Sequence, residues 1–256
     1  GHKGIIDWEA VAADGIDFAI IRAGNRAWGT GVLMEDSKFV GNMEGAIAAG
    51  LDVGAYYFSN AITVAEAEEE AEAFLARLEP YKEHITYPVV CDWEYLGGND
   101  SRAYGVDGRI ITQCIDAFCK KVAEAGYTPM IYFNEYCGYI KMDLSKLTDY
   151  QFWFAQYSDA PSCFYDFQFW QYSSKGKVAG IGSAVDMNLC FVPYGKGLVD
   201  IPEPGPEETE PAESDPVETA PVETDPADPA PEDSGTEALG TVIIDAPPVP
   251  ALPPAR

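Results

Sequence analysis

Two carboxylates, Asp92 and Glu94, stand two residues apart at the end of the apolar run Tyr87-Pro88-Val89-Val90-Cys91. On a strand, side chains at i and i+2 share a face, so both acids aim at one spot while Trp93 faces the other way. Neighbouring carboxylates raise each other's cost of ionising, so one keeps its proton at neutral pH and can act as an acid catalyst. An Asp-x-Glu triplet alone is common, and an acidic pair at a strand end is more often a solvated rim. Its surroundings argue otherwise here. A charge ending a strand that is apolar on both faces is costly unless it is used or paired.

The elements that must position this pair alternate along the chain. Strands are expected at 18–23, 53–59, 87–94 and 129–134, with helices at 36–49, 64–78 and 110–125 between them. Gly50 and Gly126 end two of these helices. Such alternation predicts parallel βαβ units and an α/β fold. Beyond them, strands at 152–157, 167–172 and 184–189 are separated by intervals partly too short for crossover helices.

In parallel barrels, chemistry collects at the carboxyl ends of the strands. The residues expected there are Arg22, Tyr56, Asp92 with Glu94, Tyr132 with Asn134, Gln156 with Tyr157, Trp170 with Gln171 and Tyr172, and Asp186 with Asn188. Each alone is more commonly a structural polar group or a core aromatic. Jointly, acids, amides and flat rings around one mouth suit a sugar, because rings stack on pyranose faces and amides pair with hydroxyl and acetamido groups. The set points to a glycosidase.

Composition divides the 256 residues in two. Residues 1–199 have the aromatic content and size of one globular barrel. Residues 200–256 hold fourteen of the 19 prolines and fifteen acids against one base, Arg256. Such a segment buries too little apolar surface to offset its ordering entropy, and is expected to be an extended, disordered tail or linker. Within it, 239–254 reads either as the start of another element or as apolar disorder.

The net charge of −26 argues against a nucleic-acid partner. No apolar stretch is long enough to span a bilayer. No signal-peptide pattern is visible, and the chain opens at Gly1-His2-Lys3-Gly4 as though in mid-domain. Six cysteines (Cys91, Cys114, Cys119, Cys137, Cys163, Cys190) include no C-x-x-C pair, so buried free thiols are expected and a zinc site is not. Neither histidine, His2 or His84, sits beside a candidate nucleophile, which leaves a Ser-His-Asp mechanism without support.

Six segments together resemble glycoside hydrolase family 25, the N-acetylmuramidase-type lysozymes. They are Gly4-Ile5-Ile6-Asp7-Trp8, 18–24, 49–56, Pro88-Val89-Val90-Cys91-Asp92-Trp93-Glu94, Trp170-Gln171-Tyr172 and Val185-Asp186-Met187-Asn188. They follow the family's order over residues 4–192. The resemblance implies an irregular TIM-like barrel of five β/α units followed by three β-strands. It also implies cleavage of the β-1,4 bond between N-acetylmuramic acid and N-acetylglucosamine in peptidoglycan glycan strands, without metal or other cofactor.

Carried onto this sequence, Glu94 matches the general acid, and Asp92 and Asp186 match the other active-site carboxylates. Tyr56, Tyr132, Asn134, Gln171 and Asn188 are expected substrate contacts. Arg22 serves either substrate or a structural ion pair. A monomer acting outside the cell or at the cell wall is expected.

The sequence departs from the family at its start. Members have a further strand, bearing an active-site aspartate, just before the segment matching His2-Lys3-Gly4. Without it, an open gap is expected between the 18–23 and 184–189 strands, exposing unpaired backbone groups. Two rival readings are a non-catalytic peptidoglycan-binding module and a barrel glycosidase acting on chitin.

Overall fold

The computed structural model describes residues 4–95, 97 and 101–195, and the backbone of 239–244. Its strands are β1 (Phe18–Arg26), β2 (Leu33–Glu35), β3 (Asp52–Ser59), β4 (Ile85–Trp93), β5 (Pro129–Asn134), β6 (Gln151–Ala155), β7 (Phe169–Gly176), β8 (Val185–Cys190) and β9 (Leu239–Ile244). The helices are α1 (Trp8–Ala13), α2 (Phe39–Ala48), α3 (Val64–Leu78) and α4 (Gly108–Glu124). β1 and β3 to β7 run parallel in that order, and β8 adds antiparallel to β7. β2 forms a short hairpin on the end of β1. This is a mixed α/β fold with one curled sheet, consistent with a TIM-like barrel.

Helices start where side chains can satisfy the free N–H groups of the first turn. Thr63 accepts the Glu66 N–H at 3.3 Å to open α3, and Asp107 accepts the Arg109 N–H at 2.8 Å to open α4. α2 and α4 stop at Gly50 and Gly126, both at φ +86, a left-handed backbone that glycine adopts without a Cβ penalty. α2, α3 and α4 connect β1 through β5 on the outside of the sheet. From β5 to β6 there are only short turns, Cys137–Lys141 and Leu144–Lys146.

Strand alternation creates two cores. Ala19, Ile21, Val53, Ala55, Cys91, Ile131 and Phe133 face the helices, together with Phe74 of α3 and Phe118 of α4. Phe18, Ile20, Tyr56, Phe58, Val90, Met130, Tyr132, Trp153 and Phe169 fill the inside of the ring. Burying one such aromatic contributes roughly 1.5–3 kcal/mol, and the packed interior makes the barrel a support for a site at its mouth.

The expected gap between the 18–23 and 184–189 strands is not open. β9 occupies it, parallel to β1 from Phe18↔Thr241 to Ile21↔Ile244 and antiparallel to β8 from Cys190↔Leu239 to Asp186↔Ile243. An eighth strand from the far end of the chain therefore supplies the hydrogen-bonding edge that the sequence reading left vacant. Over these six residues the tail is a strand and not an unstructured segment, because the two facing edges offer its backbone a ladder. The rest of 200–256 lies outside the described residues.

Candidate active site

β4 reaches the mouth through an irregularity. Its register on β3 moves from Val53↔Ile85 to Ala55↔Val89, two residues against four. Tyr87 and Val90 both face the inner core, while Val89, Cys91 and Trp93 face the helices. The bulge at Pro88 thus resets the alternation, so Val90, Asp92 and Glu94 all point inward. Gly54 permits it, since a Cβ there would lie 2.6 Å from the Pro88 carbonyl oxygen.

Asp92 and Glu94 are buried, at 3% and 0% exposure, and Asp186 of β8 joins them at 5%. Burial pushes the Asp92 carboxyl well above its ordinary range; the charges of Glu94 and Asp186 push it further, and the Arg22 guanidinium pulls it back. Glu94 is raised to about 8, first by burial and then by Asp186, against the opposing hydrogen bond from Asn134. The two acids titrate as a pair that retains a proton at neutral pH.

Asn134 Nδ2 donates to Glu94 Oε2 at 3.0 Å, and its own Oδ1 accepts the Cys137 N–H at 2.9 Å. The amide is thereby oriented from behind, leaving Glu94 Oε1 without a hydrogen-bond partner. Asp92 Oδ1 and Gln171 Nε2 are likewise buried and unpaired. Gln171 Oε1 accepts from two hydroxyls, Tyr132 at 3.1 Å and Tyr157 at 2.8 Å. Two unpaired carboxyl oxygens and one unpaired amide donor present complementary chemistry to a ligand carrying both N–H and C=O groups.

The sequence profile of glycosyl hydrolases family 25 matches residues 1–181. The chain belongs to glycosyl hydrolases family 25. It is 27% identical over 197 residues to Lysozyme M1 of Streptomyces globisporus, covering 73% of this chain and 64% of that one. The modular autolysin LytC of Streptococcus pneumoniae, solved in complex with a synthetic peptidoglycan ligand, is similar in fold. Its TM-score is 0.62 at 24% identity, over 72% of this chain and 43% of LytC. A family 25 glycosyl hydrolase from Bacillus anthracis superposes with TM-score 0.60 at 23% identity, over 75% of this chain and 86% of the other. The chain thus spans under two thirds of the length of the first two relatives.

The other candidate residues of this family 25 chain divide by depth. Arg22 donates from Nε to Asp36 Oδ2 at 2.9 Å, an ion pair that also acts on Asp92 through space. Tyr56 and Tyr132 are inner-core rings at 1% and 2% exposure, Tyr132 packing edge-on against Trp153. Asn188 is wholly buried, with Oδ1 accepting from Trp153 Nε1 at 3.0 Å and Nδ2 donating to the Asp186 carbonyl at 3.2 Å. Both ends of that amide are engaged inside the protein, where it braces the strand carrying Asp186.

Tyr157 was expected at the mouth without an assigned role, and two further participants, Asp36 and the Cys137 N–H, were not expected from sequence. Tyr157 follows β6 by two residues and carried a strand-end signal. Asp36 and the Cys137 N–H carried none, because an ion-pair partner and a backbone donor have no motif. All six cysteines are free, five of them buried. No helix among the described residues is long and apolar enough to cross a membrane.

Proposed function

We propose that this chain is a peptidoglycan hydrolase of the muramidase type, cleaving the β-1,4 bond between N-acetylmuramic acid and N-acetylglucosamine with retention and with the substrate's help. The catalytic unit is the barrel of residues 1–199, read as five β/α units followed by three strands. Residues 200–256 serve as an acidic tail or linker. The observation that carries this reading is the set of unpaired buried atoms, Glu94 Oε1, Asp92 Oδ1 and Gln171 Nε2, beside a carboxyl raised to about 8. Family membership and the peptidoglycan ligand of LytC support the choice of polymer.

In this mechanism Glu94 protonates the departing glycosidic oxygen from Oε1, while Asn134 holds Oε2. The substrate's 2-acetamido carbonyl oxygen attacks the anomeric carbon as that bond breaks. With the pair's proton on Glu94, the Asp92 carboxylate, whose rise Arg22 opposes, accepts the acetamido N–H and stabilises its developing positive charge. Water then opens the cyclic intermediate and returns a proton to Glu94, giving net retention. Two carboxyls on one strand approach the sugar from the same side, whereas inversion requires an acid and a base flanking it at wider separation. Burial, and then the charge of Asp186, keep Glu94 protonated, and Tyr56, Tyr132, Gln171 and Asn188 shape the floor of the mouth. The substrate places the protein outside the cell or at the wall.

The test is clearing of a purified cell-wall suspension by the protein and by Glu94→Gln, with the anomeric configuration of the first product read on a defined glycan fragment. Clearing by the parent alone, with retention, is expected. Equal clearing by both proteins removes Glu94 from the mechanism, and an inverted product removes the acetamido step. Binding without clearing establishes the non-catalytic module, and release of fragments from chitin but not walls establishes a chitinase.

A further inference from the structure

On the β1 side, the β1–β2 hairpin extends the wall of the mouth. Asn25 of β1 is in register with Phe58 of β3, and Phe58 with Asp92 of β4, so the three stand in one row. Residues in register on neighbouring strands share a face, and Phe58 belongs to the inner core. Half-buried Asn25 therefore turns its amide to the same side as Asp92, two strand spacings or about 10 Å away. Asn25 also pairs with Met34 of β2. Met34 and, two residues earlier, Val32 thus face the mouth side, whereas Leu33 packs with the outer core and Glu35 meets Arg77 of α3. Met34 and Val32 are 52% and 60% exposed, and Trp28 in the turn is 42% exposed. Single apolar residues on a surface need no explanation, but three on one short hairpin beside a binding site mark a contact surface.

The turn of this hairpin is held from two directions. Arg26 Nη1 donates to the Gly31 carbonyl at 2.7 Å, and the same guanidinium is anchored on Glu69 and Glu70 of α3. From the segment after β4, the Arg102 N–H donates to the Trp28 carbonyl at 3.1 Å. The Arg102 side chain is fixed by Glu66 of α3 and donates to the Asn60 carbonyl at 2.9 Å. Its guanidinium lies against Gly31, at φ +73, where a Cβ would come within 2.9 Å of Cζ. Two arginines, each backed by carboxylates of α3, thus order a turn that carries an exposed indole. Ordering a turn costs conformational entropy, and a surface ordered in advance spares its ligand that cost.

We infer that the hairpin is a distal saccharide subsite, occupied by a sugar unit of the glycan strand beyond the units at the acid pair. Trp28 stacks on the face of that sugar, Val32 and Met34 cover its apolar edge, and the Asn25 amide pairs with its hydroxyl or acetamido groups. The occupant follows from continuity, because the row that holds Asp92 runs directly into this surface. Arg102 is a positioning residue that acts through Trp28. The inference rests on the muramidase reading of the site, and it adds binding energy that grows with the length of the strand.

Calorimetric binding of peptide-free disaccharide and hexasaccharide fragments of peptidoglycan to the full chain carrying Glu94→Gln, which arrests turnover, tests this. Adding Trp28→Ala is expected to weaken hexasaccharide binding by about tenfold and to leave disaccharide binding unchanged. Trp28→Tyr is expected to restore most of the loss, because a ring is kept. Arg102→Ala is expected to lose the preference for the longer fragment in the same way, and in the active chain Trp28→Ala is expected to lower kcat/KM on the hexasaccharide alone. Hexasaccharide binding that survives Trp28→Ala, or an equal loss on both fragments, overturns the subsite while the muramidase reading stands. Failure of the Glu94→Gln chain to bind either fragment overturns that reading and the subsite with it. A loss confined to fragments that carry stem peptides gives the surface to the peptide and overturns the saccharide occupant.

Discussion

Glu70 of α3 and Glu94 at the end of β4 are both at 0% exposure, yet Glu70 receives three hydrogen bonds and Glu94 one. Glu70 accepts from Arg26 Nε at 2.7 Å, Ser59 Oγ at 2.5 Å and the Asn60 N–H at 3.3 Å. Arg26 is itself held by Glu69 and by the carbonyls of Gly31 and Glu66. Burial raises both carboxyls. The cation and donors around Glu70 restrain it to about 6, while Glu94, beside Asp186 and with one amide, reaches about 8. Equal burial thus has two outcomes: a satisfied acid locks α3 to the barrel wall, and an unsatisfied acid keeps a transferable proton.

The sharpest break in this contrast comes from exchanging the two losses. Glu94→Gln is expected to lower turnover by about 10²–10⁴-fold, the worth of a general acid, with the fold intact by circular dichroism. Glu70→Ala is expected to leave turnover per folded molecule within a few-fold but to lower unfolding free energy by about 3–5 kcal/mol in urea, because buried Arg26 Nε, Ser59 Oγ and the Asn60 N–H lose their shared acceptor at once. If the two variants show the same pattern, the distinction between a structural and a catalytic acid fails.

A smaller effect separates them by pH. The folded state holds the Glu94 proton up to about pH 8, against an ordinary value of 4.5. Between those limits the folded chain binds more protons than the unfolded chain. Its contribution to stability is therefore greatest below the lower limit and declines as pH rises through the window. Activity is expected to fall as pH passes about 8. Glu94→Gln removes the penalty, and is expected to be about 4 kcal/mol more stable than the parent at pH 8 and equal to it at pH 4.

The smallest change concerns Asn134. Its hydrogen bond favours the charged form of Glu94. Asn134→Ala is therefore expected to move the alkaline limb of the pH–rate profile upward by about one unit. A downward shift would show that the amide stabilises the neutral acid instead.

Much of this arrangement was legible in advance. The expected helix at 64–78 and strand at 129–134 coincide with α3 and β5, where caps, period and flanking glycine or proline agree. Period-two alternation put Asp92 and Glu94 on one face, and the apolar run before them argued for the burial that the structure shows. Short elements escaped: α1 has six residues and β2 three, too few for a periodic signal. Asn188 is expected to contact substrate from its place on a motif strand, and its hydrogen bonds to Trp153 and the Asp186 carbonyl join residues that sequence does not place beside it. β9 escaped because a hexapeptide in an acidic, proline-rich tail has no partner until the barrel presents two edges.

Local chemistry in the sequence determined which residues alternate, which helices begin at Thr63 and Asp107, and that two acids share one face of β4. These depend on bond geometry and neighbours a few residues apart. Tertiary structure decided that the bulge at Pro88 aims that face inward, that Asp186 charges the same mouth, that Asn134 pins one oxygen of Glu94, and that the tail closes the ring. Each of those depends on contacts between segments distant in the chain, where register and burial, not local pattern, set the energy.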